Sequence, residues 1–204
     1  MKLPKEFYLQ PTLEAAQALL GKYLVRVLDG EALVCRISET EAYIGAIDKA
    51  CHAYGYRRTK RTEVMFSPGG VAYIYLIYGM YSCLNLVTEG EGEPCAVLIR
   101  GGEIRAGGNI IAQNRFGKPL EELTPAQKKN LLNGPGKLCK GLALTPEQNG
   151  LSLLGNELFV ADGLSGLGLD PWPGDEGPLA IAASKRIGID YAQECADYLW
   201  RFTL

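Results

Sequence analysis

Val71-Ala72-Tyr73-Ile74-Tyr75-Leu76-Ile77-Tyr78-Gly79-Met80-Tyr81-Ser82-Cys83-Leu84-Asn85-Leu86-Val87-Thr88 decides the fold. Its first eight residues alternate, so that Val71, Tyr73, Tyr75 and Ile77 share one face of a strand and Ala72, Ile74, Leu76 and Tyr78 the other. Gly79-Met80 reads as a bend or tight turn, and Tyr81–Thr88 as a second strand. A third, Cys95–Arg100, follows the short connection Glu89-Gly90-Glu91-Gly92-Glu93-Pro94. Parallel neighbours need long crossovers, so connections this short predict antiparallel pairing.

Working outward, Lys22–Leu28 and Ala32–Ser38 predict two more strands around the hairpin turn Asp29-Gly30. The second runs directly into Glu39-Thr40-Glu41-Ala42-Tyr43, which puts that stretch at a strand end, where a rigid scaffold can hold a reactive group. Thr12, after Pro11, predicts the N-cap of a helix with Leu13, Ala16, Leu19 and Leu20 at helical spacing and Gly21 as its stop. Gly45 to Ser67 has weak periodicity and reads as a loop, and Ser67-Pro68-Gly69-Gly70 as a turn. Thr124-Pro125 opens a helix running to Leu132, and Leu138–Leu144 is again apolar-periodic. Leu158–Val160 and Leu179–Ala183 read as strands, Gly163–Gly177 as a Gly/Pro-rich surface loop and Tyr191–Trp200 as a helix. There is no internal repeat and no sharp break in composition. The expectation is one domain over residues 1–204, of α+β class, with a mainly antiparallel sheet and helices around it.

Apolar and aromatic residues make up 47% of the 204, enough for a continuous core and too many for a disordered chain. No apolar run approaches the roughly 20 residues that span a bilayer, and Met1-Lys2-Leu3-Pro4-Lys5-Glu6-Phe7 lacks the apolar stretch of a secretory signal. The expectation is an intracellular protein with no membrane partner. Its six cysteines are scattered and none forms Cys-x-x-Cys, which removes the usual zinc and redox signatures. Pro94-Cys95 begins like a zinc-deaminase signature but continues Ala-Val-Leu, and no His-x-Glu occurs. In a reducing compartment such thiols are buried small hydrophobes.

A net charge of −2 argues mildly against nucleic acid, but the charge is unevenly placed. Residues 51–150 carry twelve basic and eight acidic side chains; residues 151–204 carry three and eight. Phosphate attraction decays within a Debye length of roughly 10 Å, so a local basic face can bind DNA on a net-acidic protein. Arg57, Arg58, Lys60 and Arg61 form the densest cluster, which on charge alone is equally a solvated loop or a phosphate contact.

Singly, the reactive residues are unspecific. Tyr73 and Tyr75 fit a core, His52 fits an ordinary loop, and Glu39 and Glu41, two apart on a strand, share a face as surface carboxylates do. Taken together, and beside a basic loop, they describe a pocket that stacks a flat base between rings while a phosphate backbone lies outside.

Several runs occur in a telling order: Glu39-Thr40-Glu41-Ala42-Tyr43, the His52 position, Val64-Met65-Phe66, Tyr73 through Tyr81, Leu84-Asn85, Val97-Leu98-Ile99-Arg100 and Asn133-Gly134-Pro135-Gly136-Lys137-Leu138-Cys139. In these the chain resembles the alkyladenine (3-methyladenine) DNA glycosylases of bacteria and mammals, from the first helix to Arg186-Ile187-Gly188. The resemblance implies a single domain with a curved, mainly antiparallel sheet. It implies a base-excision-repair enzyme that flips alkylated or deaminated purines out of double-stranded DNA and hydrolyses the N-glycosidic bond, leaving an abasic site. Glu41 matches the general base, Tyr43 and His52 one side of the base pocket, Tyr75 the opposing ring, and Asn85 the residue near the purine's minor-groove edge. Tyr78 matches the side chain that wedges into the duplex, and Arg100 a residue near the flipped nucleotide's phosphate. Met80, Tyr81, Arg57, Arg61 and Lys137 complete the expected DNA contacts. No metal or organic cofactor is implied, water rather than lysine is the nucleophile, and the strand is left uncut. A monomer is expected, located in the cytoplasm or nucleoid if the source is bacterial.

The basic loop departs from the family pattern. It reads Arg57-Arg58-Thr59-Lys60-Arg61-Thr62-Glu63 where the family more often has Thr-Pro-Arg-Asn, and Lys60 in place of proline restores backbone freedom. One rival is a non-catalytic module that binds damaged or single-stranded bases; Glu41 argues against it, because a carboxylate beside phosphates repels DNA. Another is a hydrolase or binding protein for free nucleosides, to which the arginines would be incidental.

Overall fold

A computed structural model of the chain describes residues 1–77 and 79–204. Its strands are β1 (Tyr23–Leu28), β2 (Glu31–Ile44), β3 (Ala72–Ile77), β4 (Tyr81–Thr88), β5 (Cys95–Ala106), β6 (Leu158–Ala161), β7 (Ala182–Ser184) and β8 (Arg201–Thr203). The α-helices are α1 (Lys5–Tyr8), α2 (Thr12–Ala18), α3 (Gly108–Phe116), α4 (Pro125–Lys129) and α5 (Pro135–Gly141). The strands form one antiparallel sheet in the order β3-β4-β5-β2-β1-β6; β8 pairs with β2, and β7 with β8. The predicted α+β class and antiparallel hairpins are therefore present.

Strand β2 organises the sheet. Residues 31–36 pair with β1 and residues 39–41 with β8, while β5 runs alongside from Val34 to Ile44. Register shifts at Val34/Cys35, Ile37/Glu39 and Glu39/Thr40 bend the strand, as bulges do, and curl the sheet around one concave face. On the other face Ala42, Ile74, Leu86, Val97 and Ile99 belong to the main core with Ala16 and Leu19 of the α2 region, Ile111 of α3 and Leu138 of α5. Thr40 points there too and donates to the Ala16 carbonyl at 2.8 Å. Strand alternation then turns its neighbours Glu39 and Glu41 toward the concave face.

Several boundaries differ from expectation. Glu39–Tyr43 lies inside β2 rather than beyond its end, because β5 and β8 continue the ladder on both sides. β5 likewise runs past Arg100, with Gly101 and Gly102 paired to Glu39 and Ile37. Thr12 is the first residue of α2 and Pro11 its cap. The carboxylate of Glu89 accepts the Thr12 backbone N–H at 3.1 Å, a capping role that releases Thr12 into the helix. α4 ends at Lys129, and its Thr124 cap forms a full capping box with Gln127. Helix α3, behind Gly107-Gly108, has no side-chain cap and so no start signal in the sequence. The stretch expected to be helical at Tyr191–Trp200 is a run of 3₁₀ turns over Asp190–Asp197, broken at Gln193 (φ 53°), followed by β8.

The acidic C-terminal segment is largely neutralised in place. Five of its eight carboxylates, on Glu157, Asp162, Asp175, Glu194 and Asp197, form ion pairs. Asp175 anchors the Gly/Pro-rich loop, accepting from Arg105 at 2.7 Å and Tyr23 at 2.9 Å. All six cysteines are buried free thiols. Among the described residues no helix is long and apolar enough to cross a membrane.

Candidate active site

The concave face holds a cavity of about 210 Å³. That is below the roughly 300–1,000 Å³ typical of drug-sized ligands, and on the scale of a single heterocycle. The sheet register supplies its walls: Tyr73 lies opposite Asn85 and Tyr75 opposite Cys83 across β3–β4, while Asn85 and Glu41 both face Leu98 of β5. The loop after β2 contributes His52 and Arg61, and Ile187–Ile189 close the far side.

Glu41 sits beneath this cavity with its side chain fully buried and is not part of the lining. Each carboxylate oxygen is held. Oε2 accepts the Tyr43 hydroxyl at 2.7 Å and Nη1 of Arg100 at 3.5 Å; Oε1 accepts the Ile187 backbone N–H at 2.9 Å. Arg100 also donates to Glu39 at 2.9 Å, and Arg201 donates to the same Glu39 oxygen at 2.6 Å. Two carboxylates and two guanidiniums thus alternate along one network at the foot of the cavity. Burial works against the Arg100 charge, but Glu41 and Glu39 outweigh it and hold its pKa above the ordinary arginine value. Burial, with Glu41 second, keeps the Tyr43 hydroxyl protonated far beyond neutral pH.

The rings fall into two groups. His52 meets Tyr75 edge-on, with centroids 4.6 Å apart, and its Nδ1 is 3.0 Å from the Tyr73 hydroxyl. Tyr43 stands apart, backed by Arg186, whose guanidinium lies 4.8 Å from the ring centre. The expected pairing of His52 with Tyr43 is therefore not kept: His52 belongs to the Tyr75 wall. Burial first, and Arg61 second, push the His52 pKa down to about 4, so the imidazole is neutral at physiological pH. Asn85 is buried, and its Nδ2 donates to the Tyr73 carbonyl at 3.1 Å.

The expected DNA contacts scatter more widely. Met80 and Tyr81 stand 69% and 48% exposed at the β3–β4 turn, where Gly79 has φ 69°; Tyr78 lies outside the described residues. Tyr81 rests on α5 at Gly136, where a Cβ would come within 3.1 Å of the tyrosine. Lys137, on the same helix, donates to Asn130 at 2.8 Å. Arg57 is exposed; Arg58 is tied to Glu63 at 2.7 Å. The buried Thr62 hydroxyl bonds the Arg57 carbonyl at 3.0 Å and the Thr59 N–H at 2.9 Å, bracing the turn that carries Lys60. Arg61 points at the cavity, with its guanidinium 5.0 Å from the Tyr75 ring centre. Arg100 engages carboxylates, as described above.

Sequence reasoning left out Asp48, Arg186 and Arg201, which hold the site from below. Their ion-pair partners are more than a hundred positions away in the chain, and only the resemblance through Arg186-Ile187-Gly188 touched them.

The family model described as methylpurine-DNA glycosylase matches residues 6–204. The chain is 49% identical over 203 residues to the "Putative 3-methyladenine DNA glycosylase" of Alkaliphilus oremlandii, covering 99% of this chain and 95% of that protein. It is 46% identical to the protein of the same description from Desulfitobacterium hafniense, over 100% and 95% of the two chains. The Clostridioides difficile protein, also so described, is 45% identical over 98% of each.

Proposed function

The chain belongs to the methylpurine-DNA glycosylase family, and on that premise we propose that it flips 3-methyladenine, 7-methylguanine and hypoxanthine nucleotides out of duplex DNA into the aromatic cavity. Water then attacks C1′, the N-glycosidic bond breaks and the base leaves with the bonding pair, while Glu41 accepts the water's proton. A cationic methylpurine leaves as the neutral base; hypoxanthine leaves as an anion and takes up one proton from solvent. The products are the free base and an abasic site in an uncut strand.

The observation that carries this reading is the position of Glu41: a fully buried carboxylate bonded to Tyr43, Arg100 and Ile187, three residues that line a cavity walled by tyrosines and a neutral imidazole. Burying a carboxylate is expensive without a task or a partner, and here its partners are a hydroxyl, a guanidinium and one backbone N–H aimed at a single point. A purine alkylated at N3 or N7 is cationic and has a weakened glycosidic bond, so a base and an oriented water suffice. The oxocarbenium-like transition state gains from the nearby negative charge. Tyrosine faces favour cationic purines through the ring quadrupole, and a neutral His52 adds no like charge. Among the described residues the lining contains arginines but no lysine, which fits hydrolysis by water rather than through an amine. Flipping costs a few kcal/mol, which stacking of about 1–3 kcal/mol per base offsets in part.

The test is base release from methylated duplex and from hypoxanthine oligonucleotides by the wild type and by Glu41→Gln. The wild type is expected to release base and the variant to be slower by roughly 10²–10⁴, the usual worth of a general base, with DNA binding retained. Binding to lesions without release by the wild type would make the protein a damage-recognition module.

A further inference from the structure

We propose that Arg61 is a phosphate-operated gate on the base cavity: without DNA its guanidinium occupies the rim over Tyr75 and against His52, and it leaves only where a nucleotide phosphate takes it over. The gate rests on the glycosylase reading and adds to it a selection against purines not attached to DNA.

Two contacts define the closed position. The guanidinium is 5.0 Å from the centre of the Tyr75 ring, and its Nη2 is 3.3 Å from Nε2 of His52. An arginine can only donate, so Nε2 is the acceptor and the imidazole proton sits on Nδ1, 3.0 Å from the Tyr73 hydroxyl. Burial first and Arg61 second keep the ring neutral, as an accepting Nε2 requires. Arg61 is nevertheless an exposed residue on the loop that also bears the exposed Arg57, so it can leave the rim without disturbing the core.

A base entering the cavity meets a cation already resting on the ring that should bind it. Against a methylated, cationic purine the conflict is sharper, because like charges share one low-dielectric mouth. A nucleotide in DNA resolves it. Its phosphate offers the guanidinium charge-assisted, bidentate hydrogen bonds stronger than a neutral imidazole and a ring face provide. A free base or the released product brings no phosphate and must displace Arg61 without compensation. Entry is thereby coupled to the DNA backbone, and the released base binds weakly.

The test uses the single histidine as reporter. Binding of free hypoxanthine and free 3-methyladenine is followed by the His52 imidazole resonances in the wild type and in Arg61→Met. The variant is expected to bind the free bases tighter by roughly two- to thirtyfold, the range a cation–π contact is worth, and to bind duplex DNA more weakly. Its His52 is also expected to titrate at higher pH than in the wild type. Equal affinity for free bases in the two proteins overturns the gate, as does a His52 titration indifferent to Arg61. Failure of the glycosylase reading shows separately, as absence of base release by the wild type, and leaves both of these measurements intact.

Discussion

Arg186 and Asp48 face each other as a bidentate ion pair with both side chains fully buried, directly behind the Tyr43 ring. Arg186 donates further to the Ala42 carbonyl at 2.8 Å and the Cys195 carbonyl at 3.1 Å, and its guanidinium is 5.0 Å from the Trp200 ring centre. It therefore binds β2, the 3₁₀ segment and the residue leading into β8 at one point. Such a pair adds little over an apolar core, but half of one is strongly destabilising because a charge is left buried alone. Asp48→Ala is expected to lower unfolding stability by about 3–5 kcal/mol in urea titration. A loss below about 1 kcal/mol would show that Arg186 finds water or another partner there.

Arg100 was expected beside a phosphate, yet it engages Glu39 at 2.9 Å and Glu41 at 3.5 Å. Arg100→Met separates the two roles. A phosphate contact contributes about 0.9 to the slope of log affinity against log salt, and its loss flattens that slope. A residue orienting Glu41 leaves the slope alone and slows the chemical step. The expected result is an unchanged slope with a single-turnover rate reduced by at least roughly tenfold, since the removed guanidinium bond is worth about 1.5–3 kcal/mol.

His52 gives a pH prediction with a definite sign. Its pKa in the folded protein is pushed down to about 4, from an ordinary 6.5. Between those values the unfolded chain binds a proton that the folded one does not, so stability falls as pH drops through this window. The wild type is expected to lose more stability between pH 7 and pH 5 than His52→Gln does. Thermal melts of the two proteins at both pH values measure the difference, and parallel losses would mean that His52 titrates normally.

The sheet was legible because its evidence is local: period-two alternation in Val71–Ile77, Asp29-Gly30 at a hairpin and short connections from β3 to β4 and from β4 to β5. So was the capping box at Thr124, whose partner is three residues away. Strand ends were not, since β2 continues past Ser38 because β5 and, from the far end of the chain, β8 pair with it on either side. The same long-range closure hid the support of the site. Nothing near Glu41 in sequence announces that the Ile187 N–H, 146 positions on, will fix one of its oxygens. Residue types at the site were readable; which ring stands with which was not, and His52 joined Tyr75 because Tyr73 offers it a hydroxyl.

Asn85 yields the specificity prediction. Its Nδ2 is held by the Tyr73 carbonyl at 3.1 Å, so the amide cannot swing away from a base entering the cavity it lines. The exocyclic N2 amino group of a guanine meets this fixed amide, whereas adenine-derived bases and hypoxanthine carry only hydrogen there. 7-Methylguanine bears the same group but leaves from a cationic ring whose glycosidic bond is already weakened; unmodified guanine has no such help. Rejection by a rigid group works through the excluded competitor rather than through attraction of the right one. Asn85→Ala is expected to raise release of unmodified guanine relative to hypoxanthine by roughly tenfold or more, the discrimination that one misfit group in a pocket provides. Asn85→Ser, smaller but still polar, should fall between the two if volume is what excludes guanine. The measurement is single-turnover release from matched duplexes bearing each base, and an unchanged ratio in both variants would remove Asn85 from the selection of the base.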